Sequence, residues 1–358
     1  MRIPVVLTSW SLIATMLACG TRGAAATQND SAVVAVVPGD SLGKIVKDSL
    51  RVRPTDSSPD RQRDSLRDQE KNSATRNGTV HTDMQHVNMH IEPGIVLSID
   101  RLRGTVLPAN ANAPPALNDK GSMIINIQAG DIAIDTLSLA TLLNRHVFGY
   151  AKSPLRKLHV FIDRNEMVQT GEMKKLVWLS FRIRAAMSLT PDGEIRVHPT
   201  AIRVAGIGVK GLSAKLGGLG KLVKLEPGHG ARIEGDDFIL SPTEMLPPPR
   251  IRGTLTSIKL EPSGLRQTFG SEEASRVPLT HRPGSTAKNF MYFHGGTLRF
   301  GKLTMSGTDL EIVDMDQSNP FDYALDRYQE HLVAGHSNTT PADGLIVVMP
   351  DVQRLRKQ

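Results

Sequence analysis

The chain has 358 residues, a formal net charge of +7, 39% hydrophobic residues and 4% aromatic residues. Its basic residues are scattered and its aromatics sparse, which excludes the concentrated basic footprint of a nucleic-acid surface, and no nucleic acid is expected as a partner. Cys19 is the single cysteine, so no disulfide can form within the chain and packing alone must hold the core.

Residues 1–18 carry Arg2 followed by an apolar body running to Leu17, the pattern of a secretory signal peptide and too short to span a bilayer. They end Met16-Leu17-Ala18-Cys19-Gly20, which resembles the bacterial lipobox, in which the cysteine becomes the acylated first residue. Cys19 is therefore the expected lipid anchor, since each buried methylene of an acyl chain adds about 0.8 kcal/mol of membrane affinity. By the sorting rule of Gram-negative lipoproteins, Gly20 in place of Asp implies the outer membrane, facing the periplasm. Residues 19–79 read as a disordered tether. Arg51–Arg76 is almost entirely charged or small polar and cannot bury enough surface to offset chain entropy. About sixty such residues reach roughly 40–45 Å. The Val33–Val37 patch, a possible small docking strand, is the exception.

The folded part is expected from residue 80. Ile95, Leu97 and Ile99 alternate, as do Met123, Ile125, Ile127 and Ala129, which predicts strands. The period then changes. Asp135 or Thr136 can cap a helix over Leu137–Phe148 whose apolar face carries Leu139, Leu142, Leu143 and Val147. Leu158, Val160 and Ile162 begin a new strand, and Val168 and Thr170 return after Asp163-Arg164-Asn165. The longest pattern follows. From Val177 to Thr190 every odd position is apolar (Val177, Leu179, Phe181, Ile183, Ala185, Met187, Leu189) and most even positions are polar or small. Fourteen residues of strand span roughly 45 Å. Pro191-Asp192-Gly193 is turn chemistry, and Ile195 and Val197 resume a strand that runs to Val204 with a break at Pro199. A further strand is expected over Ile251–Leu260. The polar, Gly/Pro-bearing residues 271–288 mark a boundary. Beyond it a C-terminal extension to residue 350 should hold strands near 289–300, 302–313 and 344–349. A helix between them should start at Asn319-Pro320, present Phe321, Leu325, Tyr328 and Leu332 on one face, and end at Gly335.

Chemistry-bearing motifs are weak. Gly206, Gly208 and Gly211 make G-x-G-x-x-G, but Arg196, His198 and Arg203 mark a half-exposed antiparallel strand before it and no repeated βα units follow, so a dinucleotide site is not expected. His81, His86 and His90 lie with Asp83 in a strand pattern, where residues four apart stand about 13 Å from each other, so no metal is expected. Asp314 to Asn319 opens like a calcium loop but lacks its glycine and its final glutamate. Ser41 sits in G-x-S-x-G (Gly39 to Gly43), but within the expected tether and without the strand-turn-helix context that a nucleophile elbow needs. The chain therefore reads as non-catalytic and without a cofactor. Lys210–Leu225 is a basic amphipathic segment with Leu212, Leu216 and Leu219 on one face. It is either a membrane contact or a flap over the core, and Gly217, Gly218 and Gly220 each cost a helix there about 0.8–1 kcal/mol.

Several of these pieces stand in an order that resembles one family. Ala133–Leu143 has the form A-I-D-x-x-S-L-x-x-L-L, and Leu155–Ile162 the form L-x-K-L-H-V-x-I. Q-T-G-E at 169–172, T-P-D-G-E-I-R-V-H-P at 190–199 and M-L-P-P-P at 245–249 follow, then Gly264-Leu265. Over residues 85–268 the chain is similar to the LmeA-like phospholipid-binding proteins of the envelope, within the tubular lipid-binding (TULIP) group. That resemblance implies an α+β fold, a long twisted antiparallel sheet wrapped around an amphipathic helix in residues 80–270, here with a small C-terminal β-hairpin/helix unit added. It also implies phospholipid or fatty acyl chains held in an apolar groove, with no catalytic residues to carry over. The odd face of 177–189 (Val177, Leu179, Phe181, Ile183, Met187, Leu189) and helix residues Leu139, Leu142 and Leu143 are the expected lining. An alternating strand by itself fits a dry core equally well. The alternative is therefore a structural or assembly lipoprotein whose sheet face binds another envelope protein.

Overall fold

A computed structural model describes residues 78–174, 176–205, 207–208, 225–340 and 344–355. The signal sequence, the tether with Cys19 and the Val33–Val37 patch, and the segment bearing Leu212, Leu216 and Leu219 lie outside the described residues. Strands β1 (Val80–Glu92) and β2 (Ile95–Pro108) form a long hairpin through Pro93-Gly94, and Gly94 takes the positive φ of 83° that the turn needs. The buried positions of β1 change parity midway: Val80, Thr82 and Met84 point inward before His86, and Val87, Met89 and Ile91 after it. His86 sits at φ 49°, an irregularity that turns the strand over. β2 makes the same change opposite, from Ile95, Leu97 and Ile99 to Leu102, Gly104 and Val106.

β3 (Met123–Asp135) pairs with β2 and ends where Asp135 caps α1 (Thr136–Leu142), accepting the Ser138 N–H at 2.6 Å. α1 tightens into a π turn at Leu143–Val147. The helix expected over 137–148 is thus present in two short pieces. β4 (Leu155–Asp163), β5 (Glu166–Lys174), β6 (Trp178–Leu189), β7 (Ile195–Val204), β8 (Ile207–Gly208), β9 (Ala231–Glu234) and β10 (Asp237–Leu240) make a second sheet in the order β4-β5-β6-β7-β10-β9, with β8 on β7. The long central hairpin is β6–β7, closed at 190–194 with Gly193 at φ 76°. Pro199 does not break β7. The register slips between Arg184 and Ala185, leaving a bulge where a residue without an N–H is tolerated.

α2 (Pro242–Met245), β11 (Arg250–Arg252), β12 (Leu255–Glu261), β13 (Gly264–Phe269), α3 (Glu272–Arg276), β14 (Phe290–Phe300), β15 (Leu303–Asp314), β16 (Phe321–Ala324), α4 (Tyr328–Ala334), β17 (His336–Thr339) and β18 (Leu345–Met349) complete the described elements. The first sheet runs β12-β13-β3-β2-β1-β14-β15-β18-β17, with β11 parallel on β3, β16 parallel on β1, and β15 parallel to β18. The fold is therefore mostly β, with few and short helices, and its larger sheet is mixed rather than purely antiparallel.

Two expectations about the C-terminal part change. Residues 289–314 do form a hairpin, but β14 pairs with β1 from His81↔His294 to Gln85↔Phe290, so the extension continues the first sheet across the expected boundary. The helix expected from Asn319 starts at Tyr328, after a 3-10 turn at Leu325–Arg327. Phe321–Ala324 is a strand instead, with Phe321 fully buried and Tyr323 nearly so. Burying one such ring is worth about 1.5–3 kcal/mol, which outweighs the roughly 1 kcal/mol of a helix cap at Asn319. Both sheets and α1 share one contiguous apolar core.

His331 of α4 is completely buried and wired on both ring nitrogens. Nδ1–H donates to the Pro350 carbonyl at 2.9 Å, and Nε2 accepts the Ala324 N–H at 3.0 Å. Burial pushes its pKa down, against a smaller opposing pull from Pro350. A lowered folded pKa means stability that is whole above the unfolded value of about 6.5 and declines as pH falls toward the folded value. His331→Gln keeps a donor and an acceptor but cannot titrate. Its stability deficit relative to the parent, by chemical denaturation, should shrink on acidification from about pH 7.5 to 5. Parallel pH profiles would contradict this wiring.

Candidate functional site

An apolar hollow lies where α1 meets both sheets. α1 is only seven residues, too short to hold itself, so polar ties fix it in place. Asp135 caps it, and the Ser138 hydroxyl accepts the Val96 N–H of β2 at 3.0 Å. In the π turn, Asn144 Nδ2 donates to the carbonyls of Ala140 at 2.7 Å and Leu158 at 2.8 Å, while its Oδ1 accepts the Leu158 N–H at 2.9 Å. Lys157, at φ 53°, bulges β4 so that Leu158 presents both backbone groups to this one amide. With the helix docked this way, Leu137 faces solvent at 72% exposure and Leu139, Leu142 and Leu143 face inward.

These three leucines and Phe148 form one wall of the hollow. The second sheet supplies Met167, Ile183, Met187, Ile195 and Val197, and the first supplies Leu97, Ile134 and Leu265. Phe238, Leu240 and Met245 close the far side. Among the described residues, Gln169 and Gln267 are the only polar side chains of the lining, and none of the lining residues is titratable. An uncharged apolar ligand meets little desolvation penalty in such surroundings. The free volume is about 50 Å³. That is well below the ~150 Å³ that accommodates a benzene ring. The hollow is a narrow slit in this state, and it is local rather than running the length of the hairpin.

Of the residues expected from the sequence, Leu139, Leu142, Leu143, Ile183 and Met187 meet at the hollow. Phe181 is sealed in the core away from it, and Leu179 and Leu189 pack half-buried against that core. Val177 needs correction as a lining residue: it is 62% exposed. The β5–β6 ladder closes at Lys174↔Trp178, so Val177 belongs to the turn, beyond the reach of the opposing sheet. Leu97, Phe148, Met167, Met245 and Leu265 were not expected there. Their apolar periodicity marks them as core, but nothing in the spacing tells which core residues border a void.

A larger hollow, about 1030 Å³, opens beside α4, but it is a wet surface groove. Its charges are already satisfied: Lys120 meets Asp326 at 2.7 Å and Arg327 donates through Nε to Glu330 at 2.9 Å. The histidines of β1 diverge. His86 faces Asp100 at 3.6 Å, His90 faces Asp322 at 2.5 Å, and His81 stacks on His294. Asp314 to Asn319 folds as a turn, with the Asp316 N–H on Asp314 and the Ser318 N–H on Asp316, and leads into β16. Among the described residues no helix is long and apolar enough to cross a membrane.

No protein-family model, curated protein or solved structure matches the chain. The likeness to the envelope lipid-binding family therefore rests on its motifs alone.

Asn144 is the side chain on which the lining geometry depends. Asn144→Ala strands the buried N–H and C=O of Leu158, at about 1–3 kcal/mol for such unsatisfied groups. The expected outcome in denaturant titration is a loss of that size. Hydrogen exchange should quicken in α1 and at Leu158 before the rest of β4. Unchanged exchange at Leu158 would mean another group satisfies it.

Proposed function

We propose that the chain is a membrane-anchored, non-catalytic lipoprotein that takes the acyl chain of a phospholipid or fatty acid between α1 and the second sheet. The observation that carries this reading is the lining itself: apolar side chains from a helix and two sheets, with two neutral amides, around space that they leave unfilled. Each methylene moved from water into such surroundings is worth about 0.8 kcal/mol, so a chain binds without specific polar contacts. The slit must widen to admit one. Met167, Met187 and Met245 border it, and unbranched methionines re-pack at low cost. Gln169 and Gln267 can donate to and accept from an ester or carboxyl group. On this reading the sheet and helix are arranged in the TULIP manner, α1 is the element that moves, and acylated Cys19 holds the protein at the outer membrane facing the periplasm. Leu212, Leu216 and Leu219 then serve as a further membrane contact.

The small volume favours a second reading, in which the two sheets close on a nearly dry core and an outer face binds an envelope protein. Ligand uptake separates the two. Full-length protein from a bacterial envelope should release phospholipid or fatty acid on denaturation, seen by mass spectrometry, and should take up a fluorescent fatty acid. Met187→Trp, which fills the slit from its half-exposed side, should weaken uptake roughly tenfold or more, since overpacking costs about 1–3 kcal/mol. Protein that is empty and takes up no probe would leave only the scaffold reading.

A further inference from the structure

The β5–β6 turn carries an unusual surface. Leu176 is fully exposed, at 101% of its reference area, and Val177 follows at 62%. Isolated exposed aliphatics need no explanation. Two in succession at the tip of a hairpin, next to a tryptophan, are a different matter. Trp178 is half-buried behind them, with the Arg156 guanidinium 3.8 Å and the Lys174 ammonium 5.9 Å from its ring centre. The surrounding charge is mostly of one sign. Lys174 is exposed at the end of β5, and a second lysine follows it in sequence. Arg156 and Lys157 stand on the adjoining β4, 44% and 64% exposed. Lys152 belongs to the loop that the Lys174 N–H joins by donating to the Pro154 carbonyl at 2.8 Å. Glu172 offsets part of this charge, at 2.6 Å from Arg156 and 2.7 Å from Lys157. Glu226 adds a further acid, its backbone N–H on the Tyr150 hydroxyl at 3.3 Å.

We propose that this turn is a membrane-contact element: Leu176 and Val177 insert among the headgroups of an anionic phospholipid surface while the surrounding lysines and arginine meet the phosphates. The occupant follows from the combination of groups. Aliphatic tips gain by leaving water, tryptophan favours the headgroup level of a bilayer, and basic side chains are drawn to anionic lipid. The cation–π contacts hold Arg156 and Lys174 over the ring, so these charges sit at the same height as the aromatic. The inference does not rest on the acyl-chain reading. The turn and the hollow share no residue, although Leu155, which lines the hollow, pairs with Met173 one position from Lys174.

The sequence has two tryptophans, Trp10 and Trp178. Full-length protein carrying Trp10→Phe and Cys19→Ala therefore reports on Trp178 alone, with no acyl anchor contributing. With vesicles of phosphatidylcholine plus phosphatidylglycerol, Trp178 emission should shift to the blue and be quenched by lipids brominated on the acyl chains. Vesicles of phosphatidylcholine alone should give a weaker effect, and added salt should weaken the anionic case. Leu176→Asp with Val177→Asp should lower the partition coefficient roughly tenfold or more, the scale set by removing two aliphatic insertions. Lys157→Gln with Lys174→Gln should lower partition to anionic vesicles and flatten its salt dependence. All four side chains are exposed, so thermal midpoints should hold. If the aspartate variant does not fold, the lysine pair and parental quenching decide. Trp178 emission indifferent to anionic vesicles would overturn the proposal, as would undiminished partition of both double variants. So would loss of an envelope protein partner in the aspartate variant without any vesicle binding. Fatty-acid uptake by the hollow is read without vesicles, so the failure of one reading leaves the other standing.

Discussion

Two sheets, each apolar on one face, share one core here, and a seven-residue helix packs into that core with them. α1 has too few turns to persist alone, and its position is set by hydrogen bonds at three heights: Asp135 at the start, Ser138 against β2, and Asn144 against β4. Because those bonds are directional, Leu139, Leu142 and Leu143 are aimed at one place. The long β6–β7 hairpin then covers them with its odd-numbered side chains. Weaken any tie and the core loses its shape before it loses its hydrophobicity.

The same arrangement explains why the hollow is both apolar and small. The lining comes from elements far apart in the chain, and these elements leave about 50 Å³ free between them. Three methionines at its border give that wall more latitude than branched side chains would. On the acyl-chain reading, such a site would discriminate by length and flexibility of the guest rather than by charge, since no charged group among the described residues lines it. Contact with a bilayer through the β5–β6 turn would bring one end of the second sheet, where Leu155 borders the hollow, close to a source of acyl chains.

The outer face of the first sheet is organised on the opposite principle. Residues 271–288 lie across it, held largely by polar groups, with the His281 ring on the buried Phe290 at 4.2 Å. Arg101 donates to the carbonyls of Ser275 and, at 2.8 Å, Val277, and Arg103 donates to Pro278 while pairing with Asp83 at 2.9 Å. Arg282 meets Asp309 at 3.1 Å. Beneath this strap Glu311 is 1% exposed, and burial holds its carboxyl above the usual range. The centre of the sheet is thus covered on both sides, by hydrocarbon within and mainly by arginine hydrogen bonds and ion pairs without. A polar, Gly/Pro-bearing stretch reads as a domain boundary in the sequence because composition reports what a segment is made of. What it lies on, here a row of arginines and acids, is not written in it.

By itself the sequence determined the local features. It marked the β6–β7 hairpin through strict alternation and Pro191-Asp192-Gly193, the α1 start through Asp135, and the inward set Leu139, Leu142, Leu143, Ile183 and Met187 through period. These depend on nearest neighbours along the chain, where side-chain direction follows from backbone geometry. The remaining features arise from contacts between distant segments. The parity change at His86 hides in a run that alternates on either side of it. β16 forms because parallel pairing with β1 buries Phe321 and Tyr323, overriding a good helix-start signal. Val177 continues the apolar pattern yet leaves the strand, because the ladder closes one residue later at Trp178. The volume left between the sheets belongs to no segment at all: it is the small difference between large packed surfaces contributed by residues up to 170 positions apart, and no local pattern encodes a difference of that kind.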